Sequence, residues 1–202
     1  SGTSADVANG INRAVAAGSA IINLSLTFMP TADIVAAVNA AAAKGVFIVW
    51  AGGNSSQALL NNANSLGFTQ AAISHLILAG ALDTTAAKNA SYTNTPGTGS
   101  FVSTSGTQAT YASRWITAPG TNILAPGIMY GSGAMALWSG TSMAAPVVSG
   151  SLALLESAWP ILKTNGTAAN LLLATATDLG AKGVDTSYGT GLVNLGTAFQ
   201  PY

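Results

Sequence analysis

Two short apolar runs, residues 20–26 and 46–51, constrain the fold of this chain more than any other feature of its sequence. Neither run alternates strictly between apolar and polar residues, which predicts strands that are buried on both faces of a sheet. A segment whose apolar residues have helical spacing precedes each run, from residue 4 to 17 and from residue 31 to 45. The order helix, strand, helix, strand predicts an α/β fold with a mainly parallel central sheet.

The composition favours a single domain and excludes two classes of partner. A chain of 202 residues with 49% hydrophobic residues can bury a sizeable core, so residues 1–202 are predicted to belong to one domain. Six basic and six acidic residues cancel, which excludes the basic surface of a nucleic-acid-binding protein. No apolar run approaches the length of a membrane-spanning helix, about 20 residues. We therefore expect neither a nucleic-acid partner nor a membrane span.

The low content of charged residues bears on the environment of the protein. Only 6% of the residues are charged, compared with about 25% in ordinary domains. Together with the abundant Ala, Gly, Ser, Thr and Asn, this composition is typical of a secreted or cell-surface protein of bacteria. The absence of cysteine excludes disulfide bonds and thiolate metal sites, but it does not decide the compartment.

A serine at a predicted helix start is the first candidate functional residue. Ser142 lies among small residues and precedes an apolar run, residues 147–155, that is long enough for a buried helix. Pro160 is expected to end this helix, and Pro146 is expected in its first turn, where a missing N–H costs little. A hydroxyl at the positive end of a helix dipole can act as a nucleophile beside developing negative charge. Taken alone, such a serine is more often an N-cap.

Residues 140–155 resemble the nucleophile segment of the subtilisin-like serine proteases, the subtilases. The family pattern is Gly-Thr-Ser-Met-Ala-(Ser/Ala)-Pro-His before a small-residue helix, and the one departure here is Val147 in place of a non-catalytic His. The resemblance implies a three-layer α/β/α subtilisin-like fold of which this chain is the C-terminal portion. It also implies a serine endopeptidase that forms an acyl-enzyme on Ser142, with Thr141 and Met143 beside the substrate.

The two predicted strand ends extend this resemblance. Residues 22–26 are similar to the (Ile/Val)-Asn-Met-Ser-Leu-Gly segment, whose backbone pairs with an extended substrate. The resemblance implies that three residues line the substrate channel here: Ser25, Leu26 and Thr27. Thr27 replaces the usual glycine, which could crowd the pocket or change its depth.

Residues 49–54 resemble the Val-Ala-Ala-Ala-Gly-Asn segment of the family. The resemblance implies that small residues form one wall of the primary specificity pocket: Ala51, Gly52 and Gly53. It also implies that Asn54 donates a hydrogen bond to the oxyanion, and an amide N–H aimed at developing charge stabilises a tetrahedral intermediate. The alternative for Asn54 is a loop asparagine in a left-handed turn.

Later segments carry weaker predictions. Residues 55–72 show little periodicity and are predicted to form a loop or a short insertion. His75, the only histidine, lacks the His-Gly-Thr context of the family and is expected in a turn or at a strand edge, without a catalytic role. Residues 76–83 resemble a family strand, and residues 167–175 are predicted to form a second apolar helix.

Two segments compete for one further strand of the family fold. Residues 115–120 and 123–127 both end in Ala-Pro-Gly, as that strand does. Residues 129–138 are predicted to form a hairpin that leads to Ser142. The tail, residues 195–202, resembles the end of the protease domain in some Gram-negative autotransporters.

The resemblance implies that the catalytic Asp and His lie upstream, because a serine hydroxyl needs a base held by an acid. Neither the Asp-x-Gly nor the His-Gly-Thr motif occurs in this chain. The expected partners are therefore a protein or peptide substrate and an upstream fragment of the same protease. Three explanations stay open: a cleavage product still associated with that fragment, the ordered part of a longer molecule, or a catalytically inactive binding or structural fragment.

The related sedolisins are a further alternative, since they also use Gly-Thr-Ser, with an aspartate at the oxyanion and a glutamate base. Asn54 and residues 143–146 argue against them. We predict no cofactor and no metal site from the sequence. Calcium, which the family often binds through loop carboxylates and carbonyls, is left open because few carboxylates are suitable.

Overall fold

A computed structural model describes residues 2–61, 67–103, 105–106, 108–127 and 133–200. The helices are α1 (Ser4–Ala16), α2 (Ala32–Ala42), α3 (Gln70–His75), α4 (Thr141–Ala158), α5 (Thr167–Ala174) and α6 (Leu195–Ala198), with 3₁₀ turns at Ala112–Arg114 and Pro160–Gly166. The strands are β1 (Ile21–Leu24), β2 (Phe47–Ala51), β3 (Leu76–Leu82), β4 (Ser100–Val102), β5 (Gln108–Thr110), β6 (Trp115–Pro119), β7 (Ile123–Pro126) and β8 (Met135–Trp138). Among the described residues, no helix is both long and apolar enough to cross a bilayer.

The central sheet has the strand order β1-β2-β3-β6, and all three pairings are parallel. Every residue of β2 and β3 is buried, as their continuous apolar sequences predict. β1 lies at one edge, where it pairs with β2 through contacts such as Asn23 opposite Val49. The carboxyl ends of parallel strands all lie at the same end of the sheet. Residues 25–27 follow β1 and residues 52–54 follow β2, so both segments lie at that end.

Helices cover both faces of this sheet and create two separate cores. α1 and α2 enclose one core, to which β2 contributes Ile48 and Trp50. α4 and α5 enclose the other, to which β2 contributes Phe47, Val49 and Ala51. The predicted three-layer α/β/α arrangement with a parallel central sheet is therefore confirmed.

An aromatic cluster fixes the segment that follows β1. The ring of Phe28 meets the ring of Trp50 edge-to-face at 4.9 Å and that of Tyr111 at 5.5 Å. Phe101 lies 4.7 Å from Tyr111, and Phe68 lies 5.2 Å from Phe101. Each pair of this kind contributes about 0.5–1.5 kcal/mol beyond burial. The cluster thus anchors Phe28 beneath the sheet, directly after residues 25–27.

Helix α4 begins and ends close to the predicted positions, but the placement of Pro146 differs. The helix runs from Thr141 to Ala158, just before Pro160. Pro146 lies inside the helix in its second turn, so the expectation of a first-turn proline was wrong. A proline there removes the hydrogen bond to the carbonyl four residues earlier, which belongs to Ser142.

The predicted loop over residues 55–72 also needs a correction. Its last residues form the start of α3, whose N-cap Thr69 accepts a hydrogen bond from the N–H of Ala72 at 3.1 Å. Residues 62–66 of that prediction lie outside the described residues. Ala72 and Ile73 are buried, and tertiary packing of this kind stabilises a helix too short for a clear sequence signal.

Strand pairing shows which of the two Ala-Pro-Gly segments belongs to the central sheet. β6 pairs with β3 in the central sheet, whereas β7 forms an antiparallel hairpin with β8. The hairpin before Ser142 therefore exists, but its first strand begins at Ile123, earlier than predicted. Residues 128–132 lie outside the described part of the chain. The helix predicted over residues 167–175 is confirmed as α5.

Candidate active site

Ser142 and Ser25 hold the start of α4 against the end of β1. Ser142 is the second residue of α4 and is half-buried. Its hydroxyl donates to the backbone oxygen of Ser25 at 3.2 Å, and the Ser25 hydroxyl donates to the backbone oxygen of Ser142 at 2.9 Å. This reciprocal pair brings together two residues that are 117 positions apart.

Pro146 explains why the Ser142 carbonyl is available to Ser25. An ordinary residue at position 146 would donate its N–H to that carbonyl, and proline has no N–H. Polar side chains extend the contact, because Asn23 donates to the Ser25 hydroxyl at 2.8 Å and Ser149 lies 3.0 Å from the Asn23 amide oxygen. β1 and α4 are thus joined by a small polar network beside Ser142.

Asn54 reaches the same end of α4 through Thr141. The amide oxygen of Asn54 accepts from the Thr141 backbone N–H at 2.8 Å and from the Thr141 hydroxyl at 2.9 Å. The Thr141 hydroxyl in turn accepts from the backbone N–H of Gly53 at 3.0 Å. These contacts orient the amide with its oxygen towards Thr141, so its two N–H donors are directed elsewhere. Asn54 as a residue is exposed, so it lies at the protein surface.

Asn54 and Ser142 consequently lie at one place in the fold, on either side of Thr141. Among the described residues, four non-glycine residues have a positive φ, and Asn54 is not one of them: Ser56, Ala86, Asn122 and Asn165. The alternative of a left-handed loop asparagine therefore does not describe Asn54. Its conformation and contacts are those of a side chain held against a helix start.

The predicted channel residues fall into an exposed and a buried group. Three residues after β1 are exposed, with Leu26 47% accessible: Ser25, Leu26 and Thr27. Four others are buried, so any contact with a substrate is limited largely to their backbone: Ala51, Gly52, Gly53 and Thr141. Met143 is half-buried. These placements describe the predicted channel without testing it, and its role in substrate binding stays a prediction.

The two glycines after β2 are required by close neighbours. A Cβ atom on Gly52 would lie 2.1 Å from the Trp115 ring, and one on Gly53 would lie 2.8 Å from the Thr27 methyl group. Gly53 also has a φ of 109°, which side chains other than glycine rarely adopt. The segments 25–27 and 52–54 are thus packed directly against each other.

Comparisons with known proteins identify the family of the chain. The sequence model described as the Subtilase family matches residues 1–191. The chain belongs to the subtilase family. Subtilisin DY of Bacillus licheniformis is 32% identical over 201 residues, which are 99% of this chain and 64% of that protein. The neisserial autotransporter lipoprotein NalP of Neisseria meningitidis serogroup B is 44% identical over 62 residues, 31% of this chain and 6% of NalP.

A solved structure gives the same picture for the fold. The S218A mutant of the protease domain of PatA superposes with a TM-score of 0.74 and 28% identity, covering 98% of this chain and 64% of that one. This subtilase chain therefore spans just under two thirds of subtilisin DY and of the PatA protease domain.

The only histidine in the given sequence lies far from Ser142. His75 directly precedes the amino end of β3, whereas Ser25 and Gly52 follow the carboxyl ends of β1 and β2. Because these strands are parallel, His75 lies at the opposite end of the sheet, where the strands begin. It is buried and lies 2.8 Å from the Ala71 carbonyl oxygen, and burial lowers its pKa below the ordinary value. The geometry separates His75 from the candidate site.

One residue at the site was missed by sequence reasoning. Asn94 is buried and bonds to the loop that contains Asn54, with its amide nitrogen 3.0 Å from the Gly52 carbonyl oxygen. It lies in the turn-rich region after β3, where no local pattern distinguishes it from other polar residues. Over the described residues, no group of three or more His, Asp and Glu is placed to hold a metal ion.

Proposed function

We propose that this subtilase chain supplies the nucleophile and an oxyanion donor of a serine endopeptidase. The hydroxyl oxygen of Ser142 attacks the carbonyl carbon of a peptide bond while a base takes the hydroxyl proton. The C–N bond then breaks, the amine leaves with that proton, and water hydrolyses the acyl-enzyme to a carboxylic acid and free Ser142. The observation that carries the proposal is the meeting of Asn54 and Ser142 on either side of Thr141. Two side chains separated by 88 positions, one a hydroxyl and one an oriented amide, then flank a single carbonyl group.

The charge that forms during attack has two classes of donor near it. The Asn54 amide turns its oxygen to Thr141, which leaves its N–H groups for the oxyanion. Of the backbone N–H groups in the first turn of α4, that of Thr141 donates to Asn54 and that of Met143 donates to the Gly140 carbonyl. The second donor in this proposal is therefore the N–H of Ser142, where the helix dipole places partial positive charge. Donors fixed before the reaction stabilise the tetrahedral intermediate without reorganisation.

The base belongs, in this proposal, to an upstream fragment of the same protease. In the described structure the Ser142 hydroxyl donates to the Ser25 carbonyl, which accepts a hydrogen bond but cannot take the proton. β1 has a neighbouring strand on one side only among the described residues, and an open edge of this kind accepts a further strand. A parallel strand added there ends beside Ser25, so an upstream Asp and His can reach Ser142.

The substrate is a protein or peptide segment in extended conformation. The exposed residues 25–27 and the backbone of residues 51–53 provide two adjacent walls at the sheet edge. The low charge content and the name of NalP, an autotransporter, support a secreted or cell-surface location.

A fluorophosphonate probe applied to the full parent protein tests the nucleophile. We expect label on Ser142 and none on this chain in a Ser142→Ala variant, because the probe reacts only with an activated serine. Ser113→Ala is the matched control, since that hydroxyl bonds to the Thr110 carbonyl away from α4 and its loss leaves labelling intact. Absence of label in folded parent protein contradicts the enzyme proposal.

The remaining alternative is a catalytically inactive fragment that binds extended peptides. One observation favours this alternative: the acceptor of the Ser142 hydroxyl in the described structure is a backbone carbonyl, which is not a base. Mass spectrometry of natively purified protein separates the two functions. An associated upstream fragment that carries His-Gly-Thr supports the enzyme, and peptide binding without labelling of Ser142 supports the fragment.

A further inference from the structure

Asn94 bonds to the backbone on both sides of Asn54. Its amide nitrogen donates to the Gly52 carbonyl at 3.0 Å, before Asn54. Its amide oxygen accepts from the N–H of Ser55 at 2.9 Å and of Gln57 at 3.1 Å, after Asn54. One side chain therefore holds both arms of the loop that presents Asn54.

The backbone of Asn94 adds a fourth contact, since its N–H donates to the Gly53 carbonyl at 2.9 Å. Asn94 is only 5% exposed, whereas residues 54–58 of the loop are exposed. A Cβ atom on Gly53 would lie 2.5 Å from the Asn94 amide nitrogen, so glycine at this position permits the close approach. The fixed partner of this surface loop is therefore a buried side chain.

We propose that Asn94 is a positioning residue for the oxyanion donor Asn54. This inference rests on the proposed function of Asn54. An oxyanion donor must lie about 2.7–3.1 Å from the charged oxygen, and a misplacement of about 1 Å lowers the rate about 10²-fold. Thr141 fixes the side-chain amide of Asn54, and Asn94 fixes the backbone from which that side chain extends.

The chemistry of the contacts requires an amide at position 94. The residue must donate to one carbonyl and accept from two N–H groups, and the uncharged amide of Asn or Gln provides an N–H donor beside an oxygen with two lone pairs. Alanine removes all three side-chain bonds, and aspartate keeps the two acceptor contacts but loses the donor. Asn94→Asp should therefore impair the loop less than Asn94→Ala.

Steady-state kinetics of the full parent protein test the proposal. We expect Asn94→Ala to lower kcat about tenfold to a hundredfold while KM changes less than about threefold, because the lost interaction acts on the transition state. Asn39→Ala is a matched control. Asn39 also braces a loop with one amide, donating to the Gly67 carbonyl at 2.8 Å and accepting from the Thr69 N–H at 2.8 Å, but that loop does not carry Asn54. Its kcat should match that of the wild type.

A double-mutant cycle separates positioning from general stability. If Asn94 acts through Asn54, then in an Asn54→Ala background Asn94→Ala lowers kcat by less than about threefold. A loss in that background as large as in the wild type overturns the proposal, since a purely structural role does not depend on Asn54. If Asn94→Ala does not fold, kcat is measured for Asn94→Asp instead. A wild-type kcat in the folded Asn94→Asp variant also overturns the proposal. Fluorophosphonate labelling of Ser142 in the same samples shows whether the proposed enzyme itself stands.

Discussion

Replacing Thr141 by valine isolates the hydroxyl that joins Asn54 to the loop before it. Thr141 is 1% exposed, and its hydroxyl accepts from the Gly53 N–H at 3.0 Å while donating to the Asn54 amide oxygen at 2.9 Å. Valine preserves the shape of the side chain but offers no hydrogen bond. The substitution therefore leaves the buried N–H of Gly53 without its acceptor.

The expected loss of stability follows from these contacts. An unsatisfied buried N–H costs about 1–3 kcal/mol. The Asn54 amide oxygen keeps its hydrogen bond from the Thr141 backbone N–H, so losing the second donor contributes little. We expect Thr141→Val to lower the free energy of unfolding by about 2 kcal/mol, the middle of that range.

Thr141→Ser is the matched control, because it keeps the hydroxyl and removes one buried methyl group. A buried methyl contributes about 0.5–1.5 kcal/mol, so the serine variant should be the more stable of the two. Burial alone predicts the opposite order, since valine buries more apolar surface. Guanidinium unfolding in a Ser142→Ala background, which lacks the proposed nucleophile, measures both variants at unchanged m. A valine variant as stable as the serine variant refutes the reasoning.

Three further predictions concern stability. Gly52→Ala should destabilise by about 1–3 kcal/mol, because its Cβ would lie 2.1 Å from the buried Trp115 ring. Gly10→Ala, inside α1 with no atom within 4 Å of the added Cβ, should stabilise by about 0.5–1 kcal/mol. In thermal melts, a raised Tm for Gly52→Ala or a lowered Tm for Gly10→Ala would contradict the respective prediction. Burial, aided by the charge of Arg114, lowers the pKa of His75 below its ordinary 6.5, so the folded state favours the neutral ring. The stability that this contributes is complete above about pH 6.5 and is lost as the pH falls below that value. His75→Gln should flatten this slope between pH 7 and 5, and an unchanged slope would show that another group is responsible.

Local sequence predicted those parts of the fold that depend on local pattern. The apolar runs predicted β1 and β2, and helical spacing predicted α1 and α2, because these segments bury the same faces that their own periodicity marks. Their order was enough for the α/β class. The subtilase motif around Ser142 and the segment ending at Asn54 gave the two candidate residues, since both were recognised from contiguous residues.

Contacts between distant segments were not predictable in this way. α3 has a single turn and a half of helix, and its stability depends on burial of Ala72 and Ile73. The place of Pro146 within α4 is tolerated because the Ser25 hydroxyl, 117 positions from Ser142, takes over the carbonyl that the proline leaves without a donor. No pattern near either residue contains that information.

The sequence by itself determined the fold class, the start of α4 and the identity of Ser142 and Asn54 as candidates. Only the tertiary structure decided that Thr141 is a buried link to Asn54 and that Asn94 holds the loop around it. The physical reason is the nature of the interactions. Apolar periodicity is a property of neighbouring residues and can be read from the local sequence. A hydrogen bond of a polar side chain depends on where the folded backbone places the partner group.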